Sequence, residues 1–174
     1  MTAALTLGGF DASKFRPANN ASFEMSIDVS RDLVVGLHGI EVHTNATTRK
    51  LLLTGIPIFI DSTIPEIWLP RESCDLFEEA FGLQYNPVFN RYLVNETLHS
   101  HLQSLNLSVS FQLGIELNGS STVNITLPYG GLDLELSDPY TKLLNVTGTQ
   151  RYFPIRRADN DSQYTLGRTF LQEA

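Results

Sequence analysis

Asp61, Ser62 and Thr63 follow directly on the apolar run Ile56–Ile60, which reads as a buried strand. A strand that ends on a carboxylate and two hydroxyl residues puts the acid within reach of N–H and O–H donors. That is how a carboxyl group is fixed for acid–base work. The same three residues also suit an ordinary Asp turn closing a strand, and the local pattern leaves both readings open. Other residues of chemical type are weaker candidates. His99 and His101 would share a face on a strand and could then form a metal pair, but no third ligand lies near and the region reads as loop or helix. Ser62 has no histidine at a readable spacing that could activate it as a nucleophile. The residues call for no metal and no cofactor.

The elements that must position Asp61 read as short strands. Ala4–Leu7 runs into Gly8-Gly9, Phe23–Val29 alternates cleanly, and Asp32–His43 is another strand with Gly36 and Gly39 as bulge points. Thr44–Thr47 is a turn. After the Asp61 stretch, Pro70 opens an amphipathic helix, with Glu72 and Asp75 at its positive end and Gly82 as its stop. Cys74, Phe77 and Phe81 fall at helical spacing and form its buried face. Tyr92–Val94 is a short strand and Glu96–Leu105 a second short helix. Val109–Leu113 and Val123–Leu127 flank the hairpin signal Asn118-Gly119. Gly130–Leu136 reads as a helical turn, and Tyr152–Ile155 and Tyr164–Gly167 as strands, with a helix from Arg168 to Gln172. Arg156-Arg157 reads as an exposed loop, Glu78-Glu79 as a solvated helix face, and His38 and His43 as surface or hydrogen-bonded residues. Many short strands with few helices make the chain mainly β.

The 174 residues suit one domain, and 42% hydrophobic residues can build a core. A net charge of −7 argues against nucleic acid as a partner. No apolar run is long enough to span a membrane. Cys74 is the only cysteine, so no internal disulfide forms; it reads as a small buried residue or as one half of a bridge to another chain segment. Asn-x-Ser/Thr occurs at Asn20, Asn45, Asn95, Asn106, Asn118, Asn124, Asn145 and Asn160. With 11 Asn and 29 Ser plus Thr, chance gives roughly two such sites. The excess predicts a secreted or cell-surface protein bearing N-glycans. Met1-Thr2-Ala3 does not begin a signal peptide, so the expectation is a portion of a longer precursor.

In order along the chain, these motifs resemble the C-terminal lobe of a pepsin-like aspartic protease, over about Ala4 to Ala174. Leu5-Thr6-Leu7-Gly8-Gly9-Phe10-Asp11 resembles the strand that opens that lobe. Phe59-Ile60-Asp61-Ser62-Thr63 resembles its catalytic Asp motif. The helix from Pro70, the hairpin at Asn118-Gly119 and Leu127-Pro128-Tyr129 follow in order. Tyr164-Thr165-Leu166-Gly167 resembles the strand threaded beside the Asp, and Arg168-Thr169-Phe170-Leu171 follows it. The wording from Ile60 to Pro70 resembles filamentous-fungal secreted or surface members. Two positions depart from the family's Asp-Thr/Ser-Gly-Thr/Ser: Thr63 stands for the glycine and Ile64 for the second hydroxyl.

The resemblance implies a mainly β, single pepsin-like acid-protease lobe spanning 1–174, with one or two short helices. It implies a catalytic Asp61, with Ser62 bonding its carboxylate, Thr63 as a supporting residue at the family's glycine position, and Leu166 and Gly167 lying against the Asp loop. The implied partners are a peptide or protein substrate and an N-terminal lobe carrying the second aspartate, without which the chain is expected to be inactive. A catalytically dead relative that binds protein or glycan remains the alternative. An unrelated β-sandwich adhesion or lectin domain would show no proximity of Asp61 to Gly167.

Overall fold

The computed structural model describes residues 13, 29, 33–119, 121–143 and 148–173. The expected strands Ala4–Leu7 and Phe23–Val29, the opening Leu5–Asp11, and the sequons at Asn20 and Asn145 lie outside the described residues.

Among the described residues, two sheets carry the fold. The strands of the larger are β1 (Val34–His43), β2 (Thr48–Lys50), β3 (Ile56–Ile60), β4 (Ile67–Leu69), β7 (Ser108–Gly114), β8 (Thr122–Pro128), β11 (Ile155–Arg157) and β12 (Thr165–Leu166). Its order is β11-β4-β12-β3-β1-β7-β8, with β2 paired to β1. The smaller sheet is β5 (Gln84–Asn86), β6 (Arg91–Val94), β10 (Gln150–Phe153) and β9 (Leu134–Leu136), in that order across the sheet. Helices α1 (Arg71–Phe81), α2 (Glu96–Ser104), α3 (Tyr140–Leu143) and α4 (Arg168–Glu173) fill the connections.

The long hairpin β7–β8 pairs without a register shift, and alternating Val109, Phe111 and Leu113 bury one face of it. The β1–β7 register shifts between Leu37 and Gly39, the bulge expected from the paired glycines. Helix α1 starts after Pro70, which stands one residue outside it, and stops at Gly82, whose φ of 68° suits a residue without a side chain. Its buried face is Ser73, Cys74, Phe77 and Phe81, and Phe77 and Phe81 stack against Phe153. Cys74 is fully buried, and burial pushes its thiol up to about 12, so the small-core-residue reading holds.

Five expectations need correction. Ile56–Ile60 is not a wholly buried strand: only Ile58 is buried, and Pro57 is exposed. Tyr152–Ile155 is not one strand, because Pro154, which has no N–H to donate, divides it. Phe153 stays in the smaller sheet while Ile155 joins the larger, and the Pro154 carbonyl accepts from Ile67 N–H at 2.9 Å. Gly130–Leu136 divides into a 3-10 turn (Tyr129–Leu132) and strand β9. Arg156 and Arg157 are half-buried on β11 rather than in an exposed loop. Arg157 pairs with Glu78, which also accepts from the Tyr92 hydroxyl at 2.6 Å, so Glu78 belongs to this cluster and not to a solvated face. Glu79 does stay exposed, paired with Arg49 at 2.9 Å.

Candidate active site

Asp61 leaves the C-terminal end of β3, and two strands fix its backbone. Strand β12 runs parallel to β3 with Thr165 opposite Phe59 and Leu166 opposite Ile60. Asp61 N–H donates to the Leu166 carbonyl at 3.1 Å, and Phe59 N–H to the Tyr164 carbonyl at 2.9 Å. On its other side β12 pairs with β4. The chain therefore leaves β3 at Asp61, loops through residues 62–66 and returns as β4, with β12 inserted between the two strands that the loop joins. Directly after β12, Arg168 N–H donates to the Ile64 carbonyl at 2.7 Å and Thr169 N–H to the Pro65 carbonyl at 3.0 Å. Thr169 Oγ1 adds a bond to the Pro65 carbonyl at 2.8 Å. The Asp61 loop is thus clasped to the start of α4, and Gly167 is the point of closest approach.

The carboxylate is held mainly by Thr63. Its Oδ1 accepts from Thr63 Oγ1 at 2.7 Å and from Thr63 N–H at 2.8 Å. The Thr63 hydroxyl, then its N–H, hold Asp61 below the ordinary carboxyl range; partial burial opposes this and the Ile64 N–H adds to it. Ser62 is exposed and makes no hydrogen bond to a described residue, so the donor expected at Ser62 is at Thr63 instead. Thr63 is not among the described residues with positive φ, so a β-branched side chain is unstrained there. It supplies both the N–H of the turn and an orienting hydroxyl, which compensates for Ile64 at the motif's second hydroxyl position. A rule usable from sequence pointed this way: Asp side chains bond the backbone two residues on.

Replacing Thr63 with valine keeps the N–H and the branch and removes only the hydroxyl. The Asp61 titration midpoint should then rise toward an ordinary carboxyl value. The depressed value also makes Asp61 favour the fold above the unfolded-state pKa, a contribution lost as pH falls through the folded value. Carboxyl carbon chemical shifts followed through the acid range check this, and an unmoved midpoint in Thr63→Val would contradict the assignment.

Asp61 opens onto a depression of about 360 Å³, lined also by Phe59, Ile64, Trp68, Ser162, Gln163 and Thr165. Two of these, Ser162 and Gln163, come from the 3-10 turn Asp161–Gln163, which the sequence reading did not connect to Asp61. Behind the depression Arg156 stacks on Trp68, 4.3 Å from the ring centre. Glu66, 2% exposed, closes the loop and pairs with Arg91 at 2.6 Å and Arg156 at 4.0 Å. None of Trp68, Glu66 or Arg156 was legible as part of this site.

His99 and His101 lie on α2, with His99 buried and His101 exposed. Two positions apart on a helix do not share a face, so the strand geometry of a metal pair is absent here. His99 Nδ1 instead lies 3.1 Å from the Tyr129 hydroxyl and 3.3 Å from Asp133 Oδ1. The Tyr129 contact is the directed hydrogen bond; Asp133 Oδ1 is poorly aimed and stays without one. Arg151 holds the other Asp133 oxygen at 3.1 Å.

No family model and no curated protein matches the sequence. Among solved structures, an aspartic proteinase from Irpex lacteus superposes with a TM-score of 0.57 at 15% sequence identity. The match covers 95% of this chain and 45% of that one, so the chain spans less than half the length of that proteinase. The mainly β fold is that of a single pepsin-like lobe. The proximity of Asp61 to Leu166 and Gly167 is the feature that an unrelated β-sandwich would lack, and that reading is set aside. No described helix is long and apolar enough to cross a membrane.

Proposed function

We propose that residues 1–174 are the C-terminal lobe of a secreted pepsin-like aspartic endopeptidase, with Asp61 as one of its two catalytic carboxylates. The observation that carries this is the clasp: β12 inserted beside β3, Asp61 N–H bonded to Leu166, and the carboxylate bonded twice by Thr63. In this reading Asp61, held below the ordinary carboxyl range, is the ionised member of the pair. It takes a proton from a water lying between the two acids as the water oxygen adds to the peptide carbonyl carbon. The second carboxyl group, supplied by an N-terminal lobe, stays protonated because two like charges a few Å apart cannot both ionise. It gives its proton toward the carbonyl oxygen. In the collapse, Asp61 gives the proton it took to the amine nitrogen as the C–N bond breaks, and the second carboxylate takes back a hydroxyl proton of the tetrahedral intermediate as the carbonyl re-forms. Exposure supports the secretory part: all six described sequon asparagines, Asn45, Asn95, Asn106, Asn118, Asn124 and Asn160, are exposed.

A second reading rests on Thr63 and Ile64. They leave the carboxylate in a closed Asp turn beside an apolar surface of Phe59, Ile64 and Trp68, which suits a non-catalytic protein- or glycan-binding member.

The test is pepstatin-sensitive cleavage between about pH 2 and 7, the acid range where a carboxyl pair shares one proton. The 174-residue chain alone should be silent. Joined to a lobe bearing a second Asp motif, it should cleave, and Asp61→Asn should then lose on the order of 10³-fold or more. Pepstatin-inhibited turnover by the isolated chain would overturn the two-lobe reading. Silence in both forms favours the binding protein.

A further inference from the structure

We propose that Asn160 carries an N-glycan standing at the mouth of the Asp61 depression and limiting what can approach the carboxylate. This rests on the secretory reading above and adds a regulator of the same site. Asn160 is exposed and precedes the 3-10 turn Asp161–Gln163. Its Oδ1 accepts from Ser162 N–H at 3.1 Å and from Ser162 Oγ, the hydroxyl of its own sequon. Its Nδ2, the atom that would carry the sugar, bonds to no described residue. That turn is a wall of the site: Ser162 and Gln163 line the depression holding Asp61, while Asp161 and Ser162 line an adjoining one of about 290 Å³ beyond Phe59.

The other described sequons are placed differently. Asn45 and Asn106 lie by the far end of β1, where Asn45 N–H meets the Leu105 carbonyl, whereas Asp61 leaves the end of β3 that pairs with Val34. Asn124 sits opposite Gln112 on the β7–β8 ladder. Asn95 caps α2. Asn118 lies in the β7–β8 turn, whose Leu117 side chain comes close to Gly55 beside the start of β3, the end opposite Asp61. Among the described sequons, only Asn160 directly adjoins a segment lining the Asp61 depression.

In the modification, Asn160 Nδ2 loses a proton and bonds the first sugar carbon of a polyprenyl-diphosphate-linked oligosaccharide, and the lipid diphosphate leaves with the electron pair. The resulting branched polar chain is bulky and remains solvated at the surface. With the second lobe in place, it would exclude a folded substrate from Asp61 while leaving room for an extended single strand.

The experiment uses the chain secreted from a glycosylating eukaryotic host. Site occupancy is read by peptide mass spectrometry, and Asp61 is labelled by carbodiimide coupling to a small amine and to a polymer-bearing amine. The expected result is an occupied Asn160 and coupling of the bulky amine slowed by about threefold or more, with the small amine little affected. Amidase removal of the glycans, which leaves aspartate at each site, should restore bulky coupling. Asn160→Asp should do the same alone, because it keeps the Oδ1 acceptor that holds Ser162. An empty Asn160 beside other occupied sequons overturns this inference and leaves the secretory reading standing. Equal bulky coupling with and without the Asn160 glycan overturns it as well. A chain with every sequon empty refutes the secretory reading itself, and this inference with it.

Discussion

Replacing Gly167 with alanine is expected to destabilise the fold by about 3 kcal/mol or more, at the severe end for a single added methyl. A β-carbon at this position would lie 2.1 Å from the Glu66 carbonyl oxygen and 2.5 Å from the Ile64 carbonyl oxygen. Both are backbone atoms, so no side chain can rotate away. The Ile64 oxygen is also the acceptor for Arg168 N–H, and the neighbouring Pro65 oxygen takes both donors of Thr169. Relief of the clash therefore requires the Asp61 loop to part from α4 and lose those bonds. Gly130→Ala is the matched control, since nothing lies within 4 Å of a β-carbon there. It should change stability by less than about 0.5 kcal/mol. Urea unfolding of the two variants checks the pair, and a Gly167→Ala midpoint close to that of Gly130→Ala would show that the clasp is looser than described.

The parts of this arrangement legible from sequence are those set by local chemistry. An apolar run ending in Asp-Ser-Thr, a proline before an amphipathic helix, glycine after it, and alternation around Asn-Gly each name an element without reference to its neighbours. The order of Asp61 and Leu166-Gly167 also suggested their proximity, but only through a family resemblance. Nothing in the periodicity says that a two-residue strand 105 positions further on inserts beside Asp61. Strand β4 was missed for a similar reason: Ile67-Trp68-Leu69 is short and lies between prolines, and only its partners β12 and β11 make it a strand.

The charged residues misled most. A pair of arginines followed by Asp and Asn has the composition of a surface loop. On β11, however, Arg156 and Arg157 use planar guanidinium groups to cover Trp68 and Tyr85 while meeting Glu66 and Glu78. Composition reports the solvent preference of a side chain alone. It does not report the partners that tertiary contact supplies. The choice between Ser62 and Thr63 was a matter of geometry. A carboxylate that bonds the N–H two residues on also meets the hydroxyl of that same residue, which leaves Ser62 facing solvent.

Glu66→Gln should produce the other large effect, a loss of about 3 to 5 kcal/mol. The substitution keeps the shape and removes the charge. Glu66 is 2% exposed and is the acid that meets both Arg91 and Arg156. Arg91 donates to the same oxygen through Nε at 3.1 Å and Nη2 at 2.6 Å, a strong two-pronged contact. Burial already lowers the pKa of the Arg156 guanidinium, and the Glu66 charge works against that shift. Without it, Arg91 and Arg156 remain in a poorly solvated place with Asp159 the remaining carboxylate acting on Arg156, and that desolvation is what makes breaking a buried pair costly. Glu79→Gln is the contrast: its partnership with Arg49 is exposed, and its loss should stay within about 1 kcal/mol. The damage should also reach Asp61, because Glu66 ends the loop that begins there. Amide exchange at Arg168 and Thr169, whose N–H groups hold the Ile64 and Pro65 carbonyls, should accelerate in Glu66→Gln more than exchange along β7 and β8. Uniform acceleration across the molecule would mean that Glu66 supports global stability alone. Selective acceleration at the clasp would mean that the buried ion pair holds the Asp61 loop in place.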